Sequence, residues 1–473
     1  MDDPSFFPIL DAGAPEGASR LQALSSRVAA LEDRESSASR ERTLRAFGEM
    51  LPPAEVVRRI VREVRERGDE AVAEFSEKLD GVRVPPAELR VPEGELDRAL
   101  DRAPRRFLKA ARRAAANIRA FQQRLLPEDV APRRLGGLAL GARWTPVERA
   151  ACYVPGGQAS YPSSVLMNAI PAQVAGVERV VLAMPPGREG AANPLTLAAA
   201  ALIGCREVYR VGGAQAIAAF AFGTESIPKV DVIAGPGNLF VMLAKREVFG
   251  CVNVDLFAGP SEVLVVADGS ADPAGAAADL LSQAEHDAMA SAILVTPDRE
   301  FARAVRSALL AMLDGHPRRA IAEESLRRYG LALVVRDLDE AARVAGAIAP
   351  EHLELLCRRP EALAAKVKHA GAIFLGEWAP ESLGDYAAGP SHTLPTGGTA
   401  RFMSGLSPLS FMKRTSLIGA TRRGLSSLLP TIEALAEAEG LASHAESARV
   451  RSRAGRSSRQ ARAKGRDDAS RRS

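Results

Sequence analysis

The chain has 473 residues, 47% of them apolar and 25% charged, with a formal net charge of +4. That length leaves room for two to four structural units with sizeable cores, and the composition is that of a soluble globular protein. The longest charge-free stretch, Ala150 to Val177, contains Pro155, Pro162 and Pro171 together with Gln, Ser and Asn, which excludes a membrane span.

The chain starts Met1-Asp2-Asp3-Pro4, acidic where a secretory signal would be basic. Cys152, Cys205, Cys251 and Cys357 are widely separated and form no CxxC pair, so neither a disulfide framework nor a thiolate metal site is expected. A reducing cytoplasm follows as the expected compartment. The basic balance is local. Arg449 to Ser473 carries ten Lys or Arg against Asp467 and Asp468, which leaves residues 1–448 with a formal charge of −4. This Arg/Ser/Ala/Gly tail cannot bury a core and is expected to be disordered. Any contact with nucleic acid would be confined to it.

In chain order, residues 1–45 hold a short apolar start, Phe6 to Leu10, then a helical stretch around Leu21–Leu31 and a polar linker, Glu35–Arg42. From Pro53 to Leu79, Val56, Val57, Ile60, Val61 and Val64 line one face of a helix, and another helix is expected near Glu93–Leu125. Beyond these the pattern changes. Short β-branched runs recur at Val180–Ala183, Val208–Val211, Val230–Ile233, Val263–Val266, Ile293–Val295 and Leu331–Val335, each followed by a helical pattern. Such repetition predicts parallel sheets with helical crossovers, whose ligands sit at the carboxyl ends of strands. Two strand ends, Val211-Gly-Gly-Ala-Gln215 and Gly235-Pro-Gly-Asn238, allow close backbone approach and lead into helix N-termini that favour anions. Neither is a dinucleotide fingerprint, because Phe240 stands where the third glycine belongs, and tight strand–helix turns explain the spacing equally well.

Four clusters carry candidate chemistry. Asp272-Pro273 reads as an N-cap with proline at the first helical position, opening a helix that ends at Ser282-Gln-Ala-Glu-His286. Gln283 and His286 stand three apart, on one helical face, and an imidazole beside an amide oxygen suits a borderline metal such as zinc. Glu351-His352 places a carboxylate beside an imidazole just before the strand Leu353–Cys357. Adjacent strand residues point to opposite faces, so the two cooperate only at an irregular strand entry. Asp385, in Glu381-Ser-Leu-Gly-Asp-Tyr386, offers a hard oxygen ligand. His444 and Glu439 end the last helix before the tail, and His392 is a further polar candidate.

Tyr153-Val-Pro-Gly-Gly157, Tyr161-Pro-Ser-Ser-Val-Leu-Met167, Val211-Gly-Gly-Ala-Gln-Ala-Ile217, Gly235-Pro-Gly-Asn238 and Ala258-Gly-Pro-Ser-Glu-Val263 follow in one order. Leu280-Leu-Ser-Gln-Ala-Glu-His286, Pro350-Glu-His-Leu353 and Glu381-Ser-Leu-Gly-Asp-Tyr386 complete the series. Together they resemble the histidinol dehydrogenase family over roughly residues 8–445. Gln158, where the family tends to carry a basic residue, is a small departure.

The resemblance implies an α/β fold of two Rossmann-like parallel-sheet domains, aldehyde-dehydrogenase-like, one inserted in the other, with helical terminal segments. The expected division is 1–45 as an N-terminal helical segment, 46–152 with 262–400 as the first α/β domain, and 153–261 as the inserted domain with the NAD⁺ contacts. Residues 401–448 would be a helical dimerisation segment and 449–473 the tail. The resemblance further implies oxidation of L-histidinol to L-histidine with two NAD⁺ and one Zn²⁺ per subunit. Gln283, His286, Asp385 and His444 would hold zinc, and Glu351 with His352 would be the acid/base pair. Ser261, Glu439, His352 and the zinc ligands would contact histidinol, while Tyr153, Gln215 and Asn238 would contact NAD⁺. The family also implies a homodimer whose C-terminal segment reaches the partner's site. Two other readings stand beside this one: a thiohemiacetal-forming aldehyde dehydrogenase using Cys152 or Cys357, and a nucleic-acid-binding or scaffolding protein acting through the tail.

Overall fold

The computed structural model describes residues 6–25, 37–156, 161–187, 190–257 and 259–453. Gly157, Gln158, Ala258 and the tail beyond Arg453 lie outside the described residues. The chain divides into two units, Met1–Leu126 with Pro146–Phe411, and Pro127–Thr145 with Met412–Ser473. Strands are numbered in chain order.

The first unit holds two parallel sheets. One has six strands, β1 (Ile9–Asp11), β9 (Glu262–Ala267), β10 (Ser291–Thr296), β11 (Leu331–Val334), β12 (His352–Leu356) and β13 (Ala372–Leu375), in the order β1-β11-β10-β9-β12-β13. Every neighbouring pair runs parallel. Val263 and Val265 of β9 pack among Ala277, Leu280 and Leu281 of the helix Pro273–Ala284. Leu264 and Val266 pack on the opposite face with Ala341, Ala345 and Ile348 of the helix Leu338–Ile348. Burial on both faces is why this strand is an unbroken apolar run rather than an alternating one.

The other sheet has five parallel strands, β4 (Arg149–Tyr153), β5 (Arg179–Met184), β6 (Val208–Arg210), β7 (Val232–Ala234) and β8 (Asn253–Val254), in the order β6-β5-β4-β7-β8. It lies in sequence between β1 and β9, so one sheet is inserted into the other. Ala151, Val181, Ala183 and Ile233 share a core with the helices Pro53–Arg67 and Gly213–Phe222. Cys152, Leu182 and Met184 share another with the helices Glu93–Arg102, Arg105–Gln123 and Pro162–Ala175.

The second unit contains β2 (Val130–Leu135), β3 (Leu138–Pro146) and β14 (Met412–Ala420), in the order β14-β3-β2. β2 and β3 form an antiparallel hairpin across Gly136 and Gly137, both at positive φ (61° and 87°), as a two-residue turn demands. Thr421 caps the following helix, Arg422–Ala438, by accepting from the Gly424 N–H. A further helix covers 442–453, where Arg449 pairs with Glu437 at 2.7 Å.

Three expectations need amendment. The helices between 53 and 123 were assigned with the first α/β domain, yet their apolar faces close both sides of the five-stranded sheet, which itself starts at Arg149. An apolar face records burial but not the sheet it is buried against. The N-terminal segment is not purely helical, because Ile9–Asp11 adds a parallel edge strand to β11. The segment 401–448 likewise includes β14 before its helices.

Candidate active site

A cavity of about 300 Å³ opens in the first unit. Pro236, Gly237 and Asn238 line it from the carboxyl end of β7, and Ser261, Glu351 and His352 from the amino ends of β9 and β12. Asp272 caps the helix Pro273–Ala284 by accepting from the Ala274 N–H, as its Asp-Pro start implies. That helix ends at Ala284, two residues sooner than expected, and His286 sits in a turn whose N–H donates to the Gln283 carbonyl at 3.1 Å. Gln283 and His286 both line the cavity nonetheless. The short helix Glu381–Tyr386 adds Glu381 and Asp385.

Glu351 and His352 sit where the chain is irregular. The helix Leu338–Ile348 stops at Ala349, which adopts a left-handed conformation (φ 51°), Pro350 follows, and β12 begins only at His352. Both side chains are tied to one residue of the neighbouring strand: the Glu262 N–H donates to Glu351 Oε2 at 2.9 Å, and the Glu262 carbonyl lies 3.0 Å from His352 Nδ1. A carbonyl can only accept, so Nδ1 carries a proton in either charge state, and Nε2 is the acceptor when the ring is neutral. Nε2 is buried, has no hydrogen-bond partner among the described residues, and faces Asp385 Oδ1 at 3.6 Å.

Acidic groups crowd this imidazole. Glu381 Oε1 lies 3.9 Å and Glu351 Oε2 3.7 Å from Nδ1. Burial pushes the Glu351 carboxyl up to about 8 and that of Glu381 up to about 7. Burial alone would lower His352, but the charges of Glu381 and Glu351 and the nearby Asp385 carboxylate hold it well above its ordinary value. For Asp385 burial acts upward, and the neighbouring His352 outweighs it, leaving the carboxyl below its usual range. One ligand atom each from His286, Glu381 and Asp385 lie within 4.8 Å of one another, close enough to share a cation. The fully buried side-chain amide of Gln283 lacks a partner for both its oxygen and its nitrogen. An uncompensated buried amide is costly, and a cation accepting its oxygen would relieve it. The nitrogen and oxygen donors present therefore fit a borderline divalent ion.

Comparison with known proteins settles the lineage. The family model for histidinol dehydrogenase matches residues 49–452. The chain belongs to the histidinol dehydrogenase family. It is similar to the histidinol dehydrogenase of Parasynechococcus marenigrum, with 54% identity over 392 residues, covering 83% of this chain and 89% of the relative. For that of Cereibacter sphaeroides the identity is 53% over 397 residues, covering 84% and 91%. The crystal structure of histidinol dehydrogenase from Elizabethkingia anophelis superposes with a TM-score of 0.84 at 34% identity, covering 94% of this chain and 98% of that one. The chain is accordingly an NAD-dependent oxidoreductase of the two-sheet architecture this family shares.

Of the residues the family resemblance singles out, Ser261, Gln283, His286, Glu351, His352, Asp385 and Asn238 all line the one cavity. Tyr153 and Gln215 do not. Tyr153 is buried with its hydroxyl accepting from the Gly213 N–H at 3.1 Å, and Gln215 is buried with its amide donating to Asp80 at 3.1 Å. Glu439 and His444 belong to the second unit and are exposed, Glu439 at the end of the helix Arg422–Ala438 and His444, expected to end a helix, in the first turn of the next one, 442–453. Cys152 and Cys357 are buried and line no part of the cavity, which leaves a thiol nucleophile without access to it.

Glu381 was not among the expected site residues. Its four-residue spacing from Asp385 on one helical face was the available signal. His392, noted only as a polar candidate, also lines the cavity, with Nδ1 3.0 Å from the Asp385 carbonyl and Nε2 3.2 Å from Ser164 Oγ.

The unpaired Gln283 amide yields a stability prediction. In protein stripped of divalent ions by a chelator, Gln283→Met should stabilise the fold by about 1–3 kcal/mol, because it removes uncompensated polar atoms at similar volume. Denaturant unfolding with and without chelator checks this, and destabilisation of the stripped protein would show that the amide is satisfied without an ion.

Proposed function

We propose that the protein is a zinc-dependent histidinol dehydrogenase. It would carry L-histidinol through a bound aldehyde to L-histidine, a four-electron oxidation using two NAD⁺, as the closing steps of histidine biosynthesis. The observation that carries this reading is His352 Nε2, buried and without a partner in one cavity with Asn238 and with the orphaned Gln283 amide. Family membership supports the substrate. The four unpaired cysteines are consistent with the reducing cytoplasm we assign. No helix among the described residues is long and apolar enough to cross a membrane.

Gln283, His286 and Asp385 are the proposed zinc ligands, joined by His444. Bound zinc would orient substrate through its imidazole and amine and supply positive charge beside the reacting carbon. The protein's own groups move the protons. His352 Nε2 takes the hydroxyl proton as the first hydride leaves for NAD⁺. Glu351, held beside it by the Glu262 N–H, activates the water that adds to the aldehyde, and the hydrate then gives up a second hydride to a second NAD⁺. Ser261 and Glu439 complete the substrate contacts. Tyr153, Gln215 and Asn238 are the proposed NAD⁺ contacts, with the Tyr153 hydroxyl also holding the Gly213 N–H.

We assign His444 and Glu439 to the site of a partner subunit in a homodimer. The second unit offers apolar surface suited to that role, with Leu135 76% and Ile418 80% exposed. The basic tail remains outside the catalytic assignment.

Three measurements test these assignments. Purified protein should produce two NADH per L-histidinol and stop when a chelator removes the metal. One NADH per substrate, or indifference to chelation, would refute the zinc-dependent four-electron reading. His352→Ala should slow oxidation of both histidinol and the aldehyde, by roughly 10²–10⁴-fold, whereas Glu351→Gln should slow aldehyde oxidation far more than alcohol oxidation. Equal losses for Glu351→Gln would assign it to orienting His352 instead. Finally, His286→Ala and His444→Ala homodimers should each be inactive, yet regain about a quarter of wild-type activity when mixed and reassembled. Half the dimers are then mixed, and each mixed dimer has one intact site. Verified heterodimers that hold no metal would place all the ligands in one chain.

A further inference from the structure

The loop Gly235-Pro236-Gly237-Asn238 is gripped from behind by a charged pair that never reaches the cavity. Lys245, on the helix Leu239–Val248, turns back so that its Nζ donates to the Gly235 carbonyl at 2.5 Å and to Asp255 Oδ1 at 2.6 Å. Asp255 Oδ2 in turn accepts from the Gly235 N–H at 2.7 Å. Both polar groups of one peptide residue are thus held by a single ion pair, with the Lys245 side chain only 2% exposed and the Asp255 side chain fully buried.

Gly235 leaves no room for a side chain of its own to fix the loop. Its φ of 114° disfavours a side chain, and an added Cβ would lie 2.1 Å from the Tyr153 carbonyl oxygen. Three residues on, the loop delivers Asn238, whose Oδ1 caps the same helix by accepting from the Phe240 and Val241 N–H groups at 3.0 and 3.2 Å. That leaves the amide NH₂ of Asn238 to a ligand. A buried ion pair is weak evidence for stability, since apolar replacements are often as stable, so its physical return here is geometric.

We propose that Lys245 and Asp255 are positioning residues for NAD⁺, locking the 235–238 loop in the shape that presents Asn238 to the cofactor. This rests on the reading of Asn238 as a cofactor contact. The variant Lys245→Met/Asp255→Asn keeps an acceptor for the Gly235 N–H, removes the clamp on its carbonyl, and leaves no unpaired charge. It should raise the NAD⁺ Kd, measured by calorimetry on the zinc-loaded protein, and the KM for NAD⁺ by roughly 10- to 100-fold, the scale of a misplacement of about 1 Å. The KM for L-histidinol and the zinc content should stay within about twofold, whereas general disruption would move all four quantities together. Lys245→Gln serves if the double variant does not fold. An unchanged NAD⁺ Kd in a folded clamp variant overturns the proposal, as does a parallel rise in the KM for both substrates. Asn238→Ala separates the two failures. If it weakens NAD⁺ binding while the clamp variants do not, the cofactor contact stands and the clamp is wrong. If it leaves NAD⁺ binding unchanged, the contact and the clamp fall together.

Discussion

The site depends on one peptide residue. Glu262, the first residue of β9, gives its N–H to Glu351 and its carbonyl to His352, so two adjacent side chains are fixed by one rigid backbone position. The parallel pairing of His352 with Val263 sets the register in which this exchange is possible. A slip of one residue would turn His352 to the opposite face and separate the pair. The left-handed turn at Ala349 and the proline after it delay the start of β12, allowing Glu351 to bend toward Glu262 instead of continuing the alternation. The same contacts fix the tautomer of the neutral imidazole, so backbone geometry selects Nε2 as the ring's acceptor.

Around that anchor the fold concentrates acid. Glu351, Glu354 and Glu381 are all buried, and burial raises the carboxyl of each. Glu354, inside β12, accepts from the Glu381 N–H at 2.7 Å, linking the strand that carries His352 to the helix that carries Asp385. Buried carboxylates gathered this closely repel one another and lose hydration, a cost that positive charge among them would offset. Along with the orphaned Gln283 amide, they make the empty donor set less favourable than the same set around a cation.

Much of this was legible in the chain. The strands at 179–184, 262–267, 291–296 and 331–334 were readable because parallel strands buried on both faces become apolar runs. The Asp272-Pro273 cap was readable because its chemistry is local. Three kinds of feature were not. β1 has only three residues, too few for any period to show. β2 is exposed along its whole length and β14 along most of it, so neither shows the alternation of a half-buried strand. The helices between 53 and 123 announced an apolar face without naming its partner sheet. Within the site, spacing located Gln283 and His286, and adjacency located Glu351 and His352. Glu381 stands four residues from Asp385 on one helical face, but its contact with Glu354 of β12 is made across the sheet edge, which spacing along the helix does not encode. Tyr153 and Gln215 carry residue types that suit a ligand, and in the fold the Tyr153 hydroxyl accepts from the Gly213 N–H while the Gln215 amide donates to Asp80.

The two sheets meet the cavity with opposite edges, and that opposition explains how one site can favour both a cation and an anionic cofactor. The five-stranded sheet presents a carboxyl end at β7, as ligand sites on doubly wound sheets usually do, and there the helix Leu239–Val248 begins. A helix start carries partial positive charge, which suits the pyrophosphate of a dinucleotide. The six-stranded sheet instead presents the amino ends of β9 and β12. The helix after β9 runs back across the sheet, so its C-terminal end, bearing Gln283, arrives at that same edge. A helix end carries partial negative charge and favours a cation. Backbone dipoles thus add to the side chains on both sides: acceptors and negative charge gather where Gln283, His286 and Asp385 stand, and donors gather behind Asn238. A hydride acceptor and a metal-oriented alcohol can then be bound by opposite fields within one cavity, without either site having to pass through the charge of the other.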